Sequence, residues 1–153
     1  MSIALADLVD PKQIALNLRA GTQSEAVREI VDLLVANGKI ENAEKFLGEL
    51  GEREAVNSTY AADGVAFPHA RTKLVDEIVL GIGRSESGIA WTGKGEVAHL
   101  IFVIAVPEKP ISDYLVVVGA IARTTKDRPL RTLLLHAESM EDFITTLLSA
   151  PSI

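Results

Sequence analysis

The run Leu100-Ile101-Phe102-Val103-Ile104-Ala105-Val106, apolar throughout and closed by Pro107, constrains the fold of this chain more than any other stretch. A strand with water on one side alternates apolar and polar side chains. A strand that does not alternate is covered on both faces, which places it in the middle of a sheet with helices above and below. Ile78-Val79-Leu80-Gly81-Ile82 reads as a second strand and Val65-Ala66-Phe67 as a short third. Helical patterns surround these segments. Thr22-Gln23-Ser24-Glu25 is a capping box, and Val27, Ile30, Val31 and Leu34 recur at helical spacing up to Asn37-Gly38, which predicts a helix over 23–36. Asn42 opens a second helical stretch through Phe46, Leu47 and Leu50 towards Arg53, weakened by Gly48 and Gly51. Ser112 or Asp113 caps a helix carrying Leu115, Val118 and Ala122, with a strand as the rival reading because of its β-branched residues. Asp127 and Pro129 open a short helix to Leu135, and Ser139 with Asp142 opens the last, with Phe143, Leu147 and Leu148. The total is mixed α/β.

No repeat, low-complexity tract or Gly/Pro/Ser-rich linker divides the chain, so residues 1–153 read as one domain, long enough for a substantial core. With 48% hydrophobic and 24% charged residues it is not a disordered chain. A net charge of -6 and a pI near 5.1 leave no basic stripe to draw nucleic acid or anionic lipid. The chain has no cysteine, which rules out disulfide and thiolate chemistry. Its apolar runs are too short to span a bilayer and its N-terminus carries no signal-like core, so a soluble cytoplasmic protein without membrane insertion is expected.

Chemistry concentrates in Arg53-Glu54-Ala55-Val56-Asn57-Ser58-Thr59-Tyr60 and Gly64-Val65-Ala66-Phe67-Pro68-His69-Ala70-Arg71. A neutral imidazole keeps one ring nitrogen with a free lone pair, and such a nitrogen can attack phosphorus. Phosphoryl transfer asks the protein mainly to align donor and acceptor and to stabilise the equatorial oxygens, work suited to guanidinium forks and hydroxyl donors. His69 is therefore the candidate acceptor, with Arg53, Arg71 and Thr59 as candidate phosphate ligands. Pro68 biases Phe67 to an extended conformation, so His69 is expected to project from a strand end, with the following backbone N–H groups free to cradle an anion if the turn is suitably curved. No Gly-rich lysine loop points to a nucleotide, and no Mg2+ or other cofactor is expected where arginines offset the charge. His99 and His136 read as structural; with His69 their spacing forms no metal-ligand motif. Trp91, after Gly88-Ile89-Ala90 in an expected Gly-rich turn, reads as packing over the sheet edge, and Glu96, Asp76 and Glu77 as a solvated face.

On these residues the chain resembles the fructose/mannitol-type enzyme IIA of the bacterial phosphoenolpyruvate-dependent sugar phosphotransferase system, a group that includes nitrogen-regulatory paralogues. Arg53-Glu54 and Thr59-Tyr60 resemble the family's approach segment, Gly64-Val65-Ala66-Phe67-Pro68-His69 its phosphorylation signature, and Val106-Pro107 followed by a helix, with a later Ser139-x-x-Asp142, its C-terminal half. The resemblance implies a single α/β domain with a central mixed sheet flanked by helices. It implies that phosphate arrives from the phosphocarrier HPr and leaves to an enzyme IIB domain, with His69 as the phosphorylated histidine and Arg53 as the active-site arginine. Ala61 and Phe67 depart from the family's usual residues in ways that alter packing, whereas Ala70 after the histidine conforms. Sugar-specific members commonly carry a second histidine just before the leucine that follows Val-Pro. Here Tyr114 stands before Leu115, preceded by Asp113. A phenol donates a hydrogen bond to a phosphate oxygen but brings no positive charge near neutral pH, while an aspartate facing His69 would oppose phosphate. A sugar carrier, a regulatory module that binds a target according to its phosphorylation, and a domain that binds without taking phosphate all stand as readings.

Overall fold

A computed structural model of the chain describes residues 4–109 and 113–149. Its described residues form a six-stranded mixed sheet and five α-helices, after two 3-10 turns at Leu5–Asp7 and Pro11–Gln13. The strands are β1 (Ile14–Ala15), β2 (Tyr60–Ala62), β3 (Val65–Ala66), β4 (His69–Thr72), β5 (Val79–Ala90) and β6 (Val97–Pro107). The helices are α1 (Gln23–Ala36), α2 (Ala43–Val56), α3 (Asp113–Lys126), α4 (Arg128–His136) and α5 (Met140–Leu147). β6 is the middle strand: β5 pairs antiparallel along one side, and β3 and then β4 pair parallel along the other. β1 closes the far side of β5 in parallel and β2 pairs antiparallel with β3.

Alternation along β6 divides the core. Leu100, Phe102, Ile104 and Val106 face α3, α4 and α5, packing with Val117, Ile121, Leu134 and Phe143. Ile101, Val103 and Ala105 face α1 and α2, packing with Ile30, Val31, Leu34 and Phe46. Both faces are dry, as the unbroken apolar run requires. α1 sits close on β5 because two glycines make room for it. A Cβ on Gly81 would lie 2.6 Å from the Ile30 Cγ2 atom, and one on Gly83 the same 2.6 Å from the Ile30 Cδ1 atom. Overpacking of this kind costs about 1–3 kcal/mol.

The helix signals act as expected. Thr22 caps α1 through the Glu25 N–H, Asn42 caps α2 through that of Lys45, Asp127 caps α4 through that of Leu130, and Ser139 caps α5 through that of Asp142. The segment from Asp113 is a helix, not the rival strand; the expected cap at Ser112 and the side chain of Asp113 lie outside the described residues. Its buried face is Val117, Ile121, Thr124 and Thr125, while Leu115 is 70% exposed.

Three expectations fail. No strand is expected before Val65, yet β1 pairs with β5, and β2 pairs with β3 around Asp63-Gly64, whose φ values of 54° and 81° suit a tight hairpin. Gly88-Ile89-Ala90 is not a turn but the end of β5, which runs on through a register shift between Arg84 and Ile89 with Gly88 at φ 86°. The strand at Val65 breaks at Phe67-Pro68, because proline cannot donate to the ladder, and resumes at His69 beside β6. His69 therefore begins a strand instead of ending one. The residues after it pair with Ile104 to Pro107, so no curved turn follows to form an anion cradle.

Candidate functional site

The break at Phe67-Pro68 positions the histidine. His69 opens β4 half-buried, and its Nδ1 lies 2.8 Å from the Phe67 carbonyl oxygen. A carbonyl only accepts, so Nδ1 carries the hydrogen and donates it, which leaves the lone pair on Nε2. Phe67 is itself held by an N–H bond to the Thr59 carbonyl at 3.0 Å and by a stack on Phe102 with 5.5 Å between ring centroids. The tautomer thus follows from a backbone group fixed by the core.

Period-2 alternation along β4 buries Ala70 and Thr72 and turns His69 and Arg71 the other way. His69 opens onto a surface depression of about 510 Å³, lined also by Glu49, Glu52, Arg53, Arg71, Val106 and Tyr114. Arg53 arrives from the last turn of α2, where its Nη1 donates to the Asn57 carbonyl at 3.0 Å and to Asn57 Oδ1 at 3.2 Å. Those bonds secure one nitrogen and leave the rest of the fork for an anion. Arg71 is exposed, with Nη1 3.5 Å from the Glu108 carbonyl oxygen.

Tyr114, in the first turn of α3, lies tilted against His69 with 5.5 Å between ring centroids. Burial pushes its phenol above the usual tyrosine value, and the charge of Arg53 offsets part of that rise. The hydroxyl thus stays a neutral donor. At this wall of the depression the chain offers a hydrogen bond and no second cation.

Of the residues expected at the site, His69, Arg53, Arg71 and Tyr114 are brought together. Thr59 is not. It is buried, its hydroxyl donates to Glu54 Oε1 at 2.5 Å, and its N–H donates to Glu54 Oε2 at 2.7 Å. Glu54 itself lines a separate groove between α1 and α2. The pair fastens the chain after α2, so Thr59 serves to fix the approach to β3. Sequence reasoning missed Glu49 and Glu52; the one available signal was that Glu49 precedes Arg53 by four residues on the same helix.

Of the other two histidines, His99 has Nδ1 2.9 Å from the Ser85 carbonyl oxygen and His136 bonds the Thr132 carbonyl inside α4. Trp91 is buried on the α1/α2 side of the core. Among the described residues no helix is long and apolar enough to cross a membrane.

Residues 7–150 match the family model described as phosphoenolpyruvate-dependent sugar phosphotransferase system, EIIA 2. The chain is 31% identical to the PTS system fructose-specific EIIA component of Haloferax volcanii over 84% of each chain. It is 29% identical to the PTS system fructose-specific EIIABC component of Bacillus subtilis over 95% of its own length, but spans only 23% of that longer protein. In structure it is similar to the nitrogen regulatory protein IIA-Ntr of Neisseria meningitidis, with a TM-score of 0.85, 24% identity, and coverage of 94% of this chain and 98% of that one.

Proposed function

Since the chain belongs to the EIIA 2 family of the phosphoenolpyruvate-dependent sugar phosphotransferase system, we propose that it is a phosphocarrier that accepts a phosphoryl group on His69 from phospho-HPr and passes it to an enzyme IIB domain. The observation that carries this reading is the bond from Nδ1 to the Phe67 carbonyl, which leaves the lone pair on Nε2 of a ring that lines a depression together with Arg53 and Arg71. In transfer, that lone pair forms a bond to phosphorus while the P–N bond of the donor phosphohistidine breaks, and its electron pair returns to the donor ring. The proton on Nδ1 stays where it is. One P–N bond replaces another, so the exchange runs in either direction. Arg53 and Arg71 hold the equatorial oxygens, and the Tyr114 hydroxyl donates to one of them.

Relay partners meet briefly and over small areas. Val56, in the last turn of α2 with Arg53, and Leu115 and Val116, which follow Tyr114 at the start of α3, are 77%, 70% and 48% exposed. These side chains suit an apolar contact around the reacting ring. The join of EIIA to further components in the name of the Bacillus subtilis relative supports IIB as the acceptor.

A second reading rests on Tyr114, which stands where sugar-specific members carry a histidine. In this reading His69 is phosphorylated to alter binding of a regulatory target, and no IIB domain receives the group. Incubation with enzyme I, HPr and labelled phosphoenolpyruvate should label the chain, and label that survives His69→Ala removes His69 from the role. Addition of IIB domains then separates the readings, because a carrier loses its label and a regulatory module retains it.

A further inference from the structure

Glu49 has no place in the transfer chemistry above, yet it occupies the wall of the same depression as His69. It precedes Arg53 by one turn of α2, an arrangement in which a carboxylate and a guanidinium ordinarily pair. They do not pair here. Arg53 turns instead to Asn57, and Glu49 Oε1 is buried with no hydrogen-bond partner. The remainder of the side chain is partly exposed. An anionic oxygen left in this way, beside a ring that is to carry phosphate, opposes the charge that arrives there.

We propose that Glu49 is a positioning residue that sets how strongly His69 holds its phosphoryl group: its carboxylate destabilises phospho-His69 and so drives the group onward. This rests on the reading of His69 as the phosphoryl acceptor. Glu49 and His69 line one depression, and at physiological salt the Debye length is about 8 Å, so repulsion between neighbouring carboxylate and phosphoryl oxygens there is only partly screened. Arg53 and Arg71 attract the same oxygens. A carrier held only by cations would become a sink, since stabilising the loaded state lowers its power to donate. Glu49 opposes that outcome, and Tyr114 adds no positive charge to cancel it. Because transfer exchanges one P–N bond for another without net proton movement, the field at the phosphoryl group contributes directly to the equilibrium constant between the two carriers.

The test is the partition of label between HPr and the full chain at equilibrium, read by phosphate-affinity electrophoresis, for the parent, Glu49→Gln, Glu49→Asp and Glu49→Ala. Glu49→Gln should move the partition about tenfold towards the phosphorylated chain, as loss of a like charge at this range implies. It should also slow onward transfer to a IIB domain. Glu49→Asp, which keeps the charge, should stay within about twofold of the parent. Glu49→Ala gives the same reading should the amide disturb folding, which a thermal melt reports. Label on the parent with an unchanged partition in both Gln and Ala variants, or a partition moved towards HPr, overturns the role of Glu49 alone. Absence of label on the parent overturns the phosphocarrier reading and this inference together.

Discussion

His69 and His99 stand on strands of one sheet and make the same kind of bond, Nδ1 to a backbone carbonyl, at 2.8 Å to Phe67 two residues away and at 2.9 Å to Ser85 on the neighbouring strand. Both rings therefore keep the lone pair on Nε2. The surroundings differ. His69 faces a depression with Arg53, Arg71 and Tyr114. His99 lies against glycine backbone: a Cβ on Gly88 would be 2.8 Å from its Cε1 atom and 3.0 Å from Nε2, and one on Gly64 would be 3.4 Å from Cδ2. A nitrogen on which a single methyl group crowds has no room on that side for PO3. A tautomer makes a nucleophile available, but access and cationic neighbours make it an acceptor.

The strongest challenge to this contrast is to remove each ring. His69→Ala should abolish labelling by phospho-HPr, whereas His99→Ala should retain it and lose only the stability of a half-buried hydrogen-bonded side chain, about 1–2 kcal/mol in a denaturant melt. Label lost from both, in folded protein, would erase the distinction. Arg53→Ala comes next: withdrawing a preorganised cation from the developing charge should slow single-turnover transfer about 100-fold, with Arg53→Lys between the two. On the other side of the contrast, Gly88→Ala should cost about 1–3 kcal/mol, because alanine resists the positive φ and its methyl meets the His99 ring. Labelling at His69 should persist, and thermal melts beside labelling rates check both halves. Tyr114→Phe should have the smallest effect, a loss of about threefold in transfer, since it removes one neutral hydrogen bond and keeps the packed ring. A loss as large as that of Arg53→Ala would mean that the phenol does the work of a cation.

Much of the fold is legible from residue order. α1 begins and ends where its cap and Asn37-Gly38 place it, and the buried run around Phe102 lies at the centre of the sheet. The errors lie in the strands: β1 and β2, of two and three residues, are too short to show a period. β5 continues past Gly88, and the strand that breaks at Pro68 resumes at His69, because pairing with β6 overrides local turn signals. At the site, His69, Arg53, Arg71 and Tyr114 could be nominated from the sequence. Thr59 was nominated on chemical type alone, and its hydroxyl is occupied by Glu54.

The sequence by itself determined the helix caps and the doubly covered central strand, which follow from local propensity and the period of hydrophobicity, and the nomination of His69 with its arginines, which follows from the chemistry of those side chains and the family resemblance. Only the tertiary structure decided which nitrogen of His69 is free, that His99 has its Nε2 against backbone, and that Glu49 lines the depression with its Oε1 unpartnered. The carbonyl that fixes the His69 tautomer is only two residues away but is itself held by Thr59 and Phe102, and the other two outcomes join separate elements of the fold. A side chain's chemistry is written at its own position, but its neighbours are set by how β4, α2 and α3 pack around β6.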